Sequence, residues 1–260
     1  MKFTVYAPFY TNKSAGHWYL HFLCDQLNRI GHETKIYVYD QGPVNPQFIA
    51  PQGYIDNSVV IYPETIADNP LNATKVVRYL LNKDGLLKGK KIEWGATDFP
   101  ISFAKEFKDD CDILNYAICD THVFYDMGLD RPYNSFYIGK GQGVQLPGCV
   151  EITRQFPDKK EELAKILNQS RIFFTYDNMT STNLDAILCG AMPYFLTKPP
   201  VELYDNEYGK YWIESLDPEE IAKAKENNKR IKEQVLEKQK TFPNRLAKMV
   251  AKIEAHFKDM

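Results

Sequence analysis

Two carboxylates at positions 177 and 185 bracket the most chemically informative stretch of the 260-residue sequence, Tyr176 through Pro193. The pattern predicts that Asp177 ends a strand and that Thr180, Ser181 and Thr182 open a helix. Backbone N–H groups at a helix start have no intrahelical acceptor and are suited to phosphate or another anion. Asp177 beside them can accept hydrogen bonds from sugar hydroxyls. Asp185, about two turns into the helix, is placed to reach a ribose. One strand–loop–helix is therefore expected to hold sugar, diphosphate and ribose in order, at the carboxyl end of a parallel strand.

The stretch 177–193, with Ala186, Gly190 and Pro193 after the acidic pair, resembles the E-x7-E region of retaining GT-B glycosyltransferases, glycosyltransferase family 4. Asp stands at both acidic positions in place of Glu. The resemblance extends to Tyr62-Pro63-Glu64 with Asn69-Pro70-Leu71, to Tyr137-Ile138-Gly139-Lys140-Gly141, and to Thr153-Arg154 ahead of Pro157. It implies that Asp177 faces the donor sugar and that Met179, Thr180 and Ser181, with Thr182 next, line sugar and phosphate. It further implies that Asp185 binds the ribose, that Lys140 pairs with the diphosphate, and that His122 lies near the reacting sugar in the N-terminal half. Arg154 is the second expected cation and Arg131 the reserve. Positive charge there suits a leaving nucleoside diphosphate, whose negative charge grows as the glycosidic bond breaks.

Further candidates come from position in the chain. Gly16-His17, in the first loop, is expected to close over the donor phosphates, although a helix-start role explains it equally. Glu64 and Asn69 are expected to contact the acceptor, and Asn69 also serves as a helix cap. Asp110-Cys111-Asp112 matches a metal-binding D-x-D triplet but abuts a strand, and no metal site is expected. Gly139-x-Gly141-x-Gly143 lacks the spacing of a dinucleotide fingerprint.

The elements that must position these residues alternate between strand and helix. Residues 2–7 read as a strand. Ser14 caps a helix with Leu20, Leu23, Cys24, Leu27 and Ile30 at helical spacing, and Gly31 ends it. Residues 34–39 and 58–62 read as strands, and Asn69-Pro70 is expected to open a helix carrying Ala73, Val76, Val77, Leu80 and Leu81. Strands are expected at 92–94 and 112–116. A second series has strands at 134–138, 150–153, 171–176 and 192–196. Its helices are one opened by an Asp158/Glu161 capping box and one at 181–189 stopped by Gly190. The fold class read from this is α/β: GT-B, with two Rossmann-like doubly wound domains facing a cleft and a C-terminal helical tail. The boundaries are 1–130 on the acceptor side, 131–216 for the nucleotide sugar, and 217–260 for the tail.

Composition sets limits. The net charge of −2 offers no general attraction for nucleic acid, and none is expected as a partner. Five cysteines without a C-x-x-C pair argue for reduced thiols and against zinc. The sequence has no stretch of the ~20 apolar residues a membrane span needs, and its start does not read as a signal peptide, so a cytoplasmic location is expected. Residues 221–260 carry eleven Lys and Arg against five Asp and Glu, a solvated face or a contact for an anionic membrane surface. The sequence thus leads us to expect a metal-independent retaining hexosyltransferase without cofactor. Its donor is a nucleotide diphosphate sugar, UDP-sugar first, and its acceptor a glycan or lipid-linked hydroxyl. The alternatives are an inactive sugar-nucleotide or glycan-binding module and another nucleotide-sugar enzyme, a hydrolase or epimerase.

Overall fold

A computed structural model describes residues 1–11, 13–40, 50, 52–87, 89–140, 142–178, 180–197 and 211–258. The chain is α/β, with two parallel sheets and a long C-terminal helix. It divides into two compact units, unit 1 being Met1–Tyr116 with Gln239–Met260 and unit 2 Ala117–Lys238. The division falls before the boundary expected near 130. The C-terminal helical segment expected from the sequence is a helix, and its residues are shared between the two units.

Unit 1 holds strands β1 (Lys2–Ala7), β2 (Glu33–Val38), β3 (Val59–Pro63), β4 (Val76–Leu80), β5 (Phe99–Ser102) and β6 (Asp112–Ile113), with helices α1 (Ala15–Arg29) and α2 (Gln52–Ile55). The sheet order is β2-β1-β3-β4-β5-β6, parallel throughout. Helix α1 is as expected. Ser14 sits at the N-cap in extended conformation and its hydroxyl accepts from the His17 N–H at 3.5 Å, while Gly31 leaves the helix at φ +93°. Its buried face is Tyr19, Leu20, Leu23, Cys24 and Leu27.

The helix expected after Asn69-Pro70 is strand β4. All five of its residues are buried, as in a central strand covered on both faces, and apolar positions 76, 77 and 80 satisfy helical spacing by coincidence. Asn69 instead closes a turn, its Oδ1 accepting from the Ala73 N–H and the Tyr62 hydroxyl, both at 2.9 Å. Residues 92–94 form no strand, and β5 takes that place in the order. Arg78 on β4 is 1% exposed. It donates to Asp98 at 2.8 Å and to the carbonyls of Ile66 and Asp68, with its guanidinium 5.1 Å from the Tyr62 ring centroid. One buried cation thereby ties together the two loops that flank β4.

Unit 2 holds β7 (Tyr133–Tyr137), β8 (Cys149–Ile152), α3 (Lys160–Asn168), β9 (Ser170–Thr175), α4 (Thr182–Leu188) and β10 (Met192–Phe195), in the parallel order β10-β9-β7-β8. Each strand overlaps its expected position. The Asp158/Glu161 capping box is displaced: the N-cap is Lys159, whose side chain makes no cap hydrogen bond. The core joins Tyr137, Ile152, Ala164, Leu167, Phe173, Leu184 and Ile187.

Helix α5 (Pro218–His256) buries Ala224, Ile231 and Val235 in its first part and Phe242, Leu246, Met249, Val250 and Ile253 in its second. Pro243 lies inside it. Proline has no N–H for the carbonyl four residues earlier, so the missing bond falls at residue 239, where the helix passes from unit 2 to unit 1. Among the described residues no helix is long and apolar enough to cross a membrane.

Removing one partner of a buried ion pair leaves an uncompensated charge, so Asp98→Ala is expected to cost about 3–5 kcal/mol in urea unfolding. The double variant Arg78→Met/Asp98→Ala should recover a large part of that loss; equal losses for the two would assign the effect to loop contacts instead.

Candidate functional site

In unit 2 the first strand, β7, is flanked by β8 on one side and β9 on the other, so the crossovers leave it in opposite directions and a crevice opens at the carboxyl ends of β7 and β9. The two chain segments entering that crevice are Ile138-Gly139-Lys140 after β7 and Tyr176-Asp177 after β9. They are joined there. The Lys140 amide donates to Asp177 Oδ2 at 3.0 Å, and the Tyr176 amide donates to the Tyr137 carbonyl at 3.0 Å. Asp177 is 5% exposed. Its backbone is fixed from both sides: its amide donates to the Thr175 hydroxyl at 3.1 Å, and its carbonyl accepts from that hydroxyl and from Asn183 Nδ2.

Gly139 is required for this approach. It lies at φ +61°, and a Cβ there would fall 2.6 Å from Asp177 Oδ2 and against the Tyr137 ring. Lys140 is exposed next to it. Arg154 is also exposed, in the turn after β8, where the Thr153 hydroxyl accepts from the amides of Gln155 and Phe156. Neither cation has an ion-pair partner among the described residues. Two solvated positive charges therefore stand at the carboxyl ends of adjacent strands, beside a buried carboxylate.

The start of α4 departs from expectation. The helix is one residue short of eight, and its first amides are already engaged: Thr182 N–H with the Thr180 hydroxyl, Asn183 N–H with the Thr180 carbonyl, Leu184 N–H with the Ser181 carbonyl. The amides of Thr180 and Ser181 find no acceptor among the described residues, so any anion would meet the loop before the helix. Asn183 Oδ1 is buried without a hydrogen-bond partner. Met179 lies outside the described residues, as does Gly141.

Asp185 points inward. The Cys119 thiol donates to its Oδ1 at 3.1 Å, and burial pushes its carboxyl up to about 7, with Asp120 raising it further against Lys160. Asp185 lies, like every residue from Asn183 to Leu188, in a buried stretch of α4, and its carboxyl is engaged by Cys119, whereas the sequence led us to expect it at the ribose. Arg131 is corrected for a similar reason. It precedes β7, at the amino end of the sheet, and donates to the carbonyls of Ser170 and Cys189 and to Asp126. It closes helix ends there and is remote from the carboxyl-end crevice.

His122 belongs to unit 2, not to the N-terminal half as expected, because Ala117 and Phe124 on either side pack into the core of unit 2. The His122 side chain is exposed. Gly16, His17, Glu64 and Asn69 lie in unit 1. A Cβ on Gly16 would meet nothing within 4 Å, so the fold itself does not demand glycine there. The His17 ring packs edge-on to Phe9 at 6.0 Å. Glu64 is 4% exposed and accepts from the Leu81 amide at 2.9 Å. The D-x-D triplet is tied to lysines, Asp110 to Lys108 and Asp112 to Lys252. Among the described residues no group of three or more His, Cys, Asp and Glu side chains is arranged to hold a metal ion.

Sequence reasoning missed Thr175, Asn183 and Cys119. Thr175, two residues before an Asp, has the signature of a local hydroxyl-to-backbone turn. Cys119 carries no signal, since its partner lies 66 positions away.

No protein-family model and no curated protein matches the sequence. Among solved structures, an alpha-glucosyltransferase in complex with UDP and a 13-mer DNA containing a central A:G mismatch is similar in fold, with a TM-score of 0.44 and 11% identity over 94% of each chain. The chain itself is a two-unit parallel α/β protein with a carboxyl-end crevice in its second sheet.

Two outcomes follow from this geometry. Gly139→Ala should displace the loop from Asp177 and destabilise the protein by about 1–3 kcal/mol in chemical unfolding. Asp185 has a folded pKa raised to about 7 against an ordinary ~3.9. The native state thus holds a proton that the unfolded chain releases, and stability falls as pH rises through that interval. Asp185→Asn should therefore gain about 2–3 kcal/mol on the wild type between pH 5 and pH 8; parallel stability profiles would place the carboxyl in water.

Proposed function

We propose that this protein is a glycosyltransferase of the GT-B kind that binds a nucleotide diphosphate sugar in unit 2. The carrying observation is the hydrogen bond from the Lys140 amide to Asp177 across the β7/β9 crevice, flanked by the charges of Lys140 and Arg154, which have no ion-pair partner among the described residues. A diphosphate laid over the β7 and β8 ends would meet both cations and the amides of Thr180 and Ser181. Asp177, by holding the Gly139-Lys140 turn, fixes where the lysine starts. As the bond to the leaving group breaks, the developing phosphate charge is met by groups already in place. The donor we propose is a UDP-hexose, transferred with retention to a glycan or lipid-linked hydroxyl. The leaving phosphate itself assists removal of the acceptor proton, and no metal ion or cofactor is required. Asp185 enters only indirectly, through Cys119 and the position of α4.

A second reading draws on the same contact. Asp177 is shorter than Glu and its Oδ2 is engaged by Lys140, which suits a module that binds a sugar nucleotide without transferring the sugar.

Thermal-shift titration with UDP, GDP and ADP tests the site, since a ligand that binds only the native state stabilises it by RT ln(1 + [L]/Kd). Incubating the donor with glycan, lipid-linked and nucleic-acid acceptors in excess EDTA then tests the chemistry. Nucleotide-induced stabilisation with release of nucleoside diphosphate in EDTA is expected. Lys140→Ala and Arg154→Ala should each raise the barrier by about 2–4 kcal/mol. Stabilisation without turnover would favour the binding module, and a fully active Lys140→Ala would displace the diphosphate from this crevice.

A further inference from the structure

Unit 1 repeats the topology of unit 2. Its first strand, β1, lies between β2 and β3, so a second crevice opens at the carboxyl ends of β1 and β3. Tyrosines collect there on the face that also carries Tyr54 of α2. Tyr6 of β1 stacks on Tyr37 of β2 with ring centroids 5.3 Å apart and planes 5° apart. It also stacks on Tyr39, just past β2, at 4.9 Å and 17°, and Tyr62 of β3 tilts against it at 5.1 Å.

Two members of the stack, Tyr6 and Tyr37, differ from the other tyrosines of the unit 1 core in what their hydroxyls do, whereas the Tyr39 hydroxyl is bonded to Thr65. Tyr19 and Tyr79 bond each other, Tyr54 donates to the Glu33 carbonyl, and Tyr62 donates to Asn69. The hydroxyls of Tyr6 and Tyr37 have no partner among the described residues, and the Tyr37 and Tyr39 rings are only half-buried. Rings serving the core alone would all be covered, as Tyr6 is, and the Tyr6 and Tyr37 hydroxyls would be paired. Carboxylates border it. Asp40 and Asp68 are exposed. Burial first, then the charge of Asp40, pushes the Tyr39 hydroxyl up to about 12, and Asp68 acts in the same direction on Tyr6.

We propose that unit 1 binds its acceptor as a pyranose ring, laid against the half-buried Tyr37 and Tyr39 rings that stack on buried Tyr6, with its hydroxyls directed to Asp40 and Asp68. The inference rests on the glycosyltransferase reading and names the acceptor chemistry. A pyranose presents polarised C–H groups on one face, complementary to the electron-rich face of an aromatic ring. Its rim of hydroxyls donates to carboxylates. The same carboxylates repel phosphate, so the site disfavours a nucleotide or nucleic-acid strand. This location replaces the acceptor contact expected of Glu64, which is turned to the Leu81 amide, and of Asn69, which holds its own turn.

Saturation-transfer NMR on the full chain tests this, with maltotriose, methyl β-galactoside and methyl α-mannoside as probes and a single-stranded oligonucleotide as competitor. Irradiating the aromatic protons should transfer magnetisation to the ring protons of at least one sugar. Tyr37→Leu or Tyr39→Leu should weaken that sugar about tenfold, whereas Tyr37→Phe, which keeps the ring, should stay within about twofold. Asp68→Asn, a change in an exposed loop, gives a variant that leaves the stack intact and should weaken the sugar about threefold. The UDP thermal shift of unit 2 is recorded on every sample. No transfer to any of the three sugars, unchanged affinity in both the folded leucine variants and Asp68→Asn, or displacement of sugar by the oligonucleotide overturns the proposal. If the UDP shift persists in that case, only the acceptor platform falls; if it is missing from the wild type as well, the glycosyltransferase reading falls with it.

Discussion

Every strand pair in both sheets is parallel, and a parallel strand cannot be followed by its neighbour without a crossover that returns the chain to the starting edge. Both units begin with a strand that ends up flanked on both sides, so successive crossovers leave it in opposite directions. The carboxyl ends of β1 and β3, and of β7 and β9, are therefore left with loops that diverge. Space for a ligand arises there from connectivity, before any particular side chain is considered.

What fills that space differs between the units because the local chemistry differs. In unit 2 a glycine at positive φ lets the turn after β7 press against the carboxylate after β9, and the bond between them places at the mouth a lysine with no ion-pair partner among the described residues. In unit 1 the strands β1, β2 and β3 carry a tyrosine one residue before their carboxyl ends, and acidic residues follow in the loops. A cationic mouth and an aromatic, acidic one suit a diphosphate and a neutral polyol respectively.

Buried polar groups hold both sheets' loops in place, at a cost that only pairing offsets. Arg78 gathers carbonyls from the loop before β4 and a carboxylate from the loop after it. Arg131 does the same for the carbonyls at the ends of helices in unit 2. Asp185 is accommodated differently, by keeping its proton and accepting from a thiol. Arg78 holds the backbone of Asp68 itself, one of the proposed ligand groups.

The sequence by itself determined the alternation of strand and helix, the start and stop of α1, all four strands of the second sheet, and the places of Asp177 and Lys140 just after strand ends. These are local properties: capping, periodicity, and a glycine-rich turn after a strand. Only the tertiary structure decided that residues 76–80 are a strand, because burial on both faces erases the alternation that would have marked it. It also decided that Asp185 turns to Cys119 and that Arg131 lies at the wrong end of the sheet for a phosphate. Both depend on contacts between residues far apart in the chain. The same holds for the tyrosine stack, whose members are separate in sequence and share one face only after β1, β2 and β3 have paired in register.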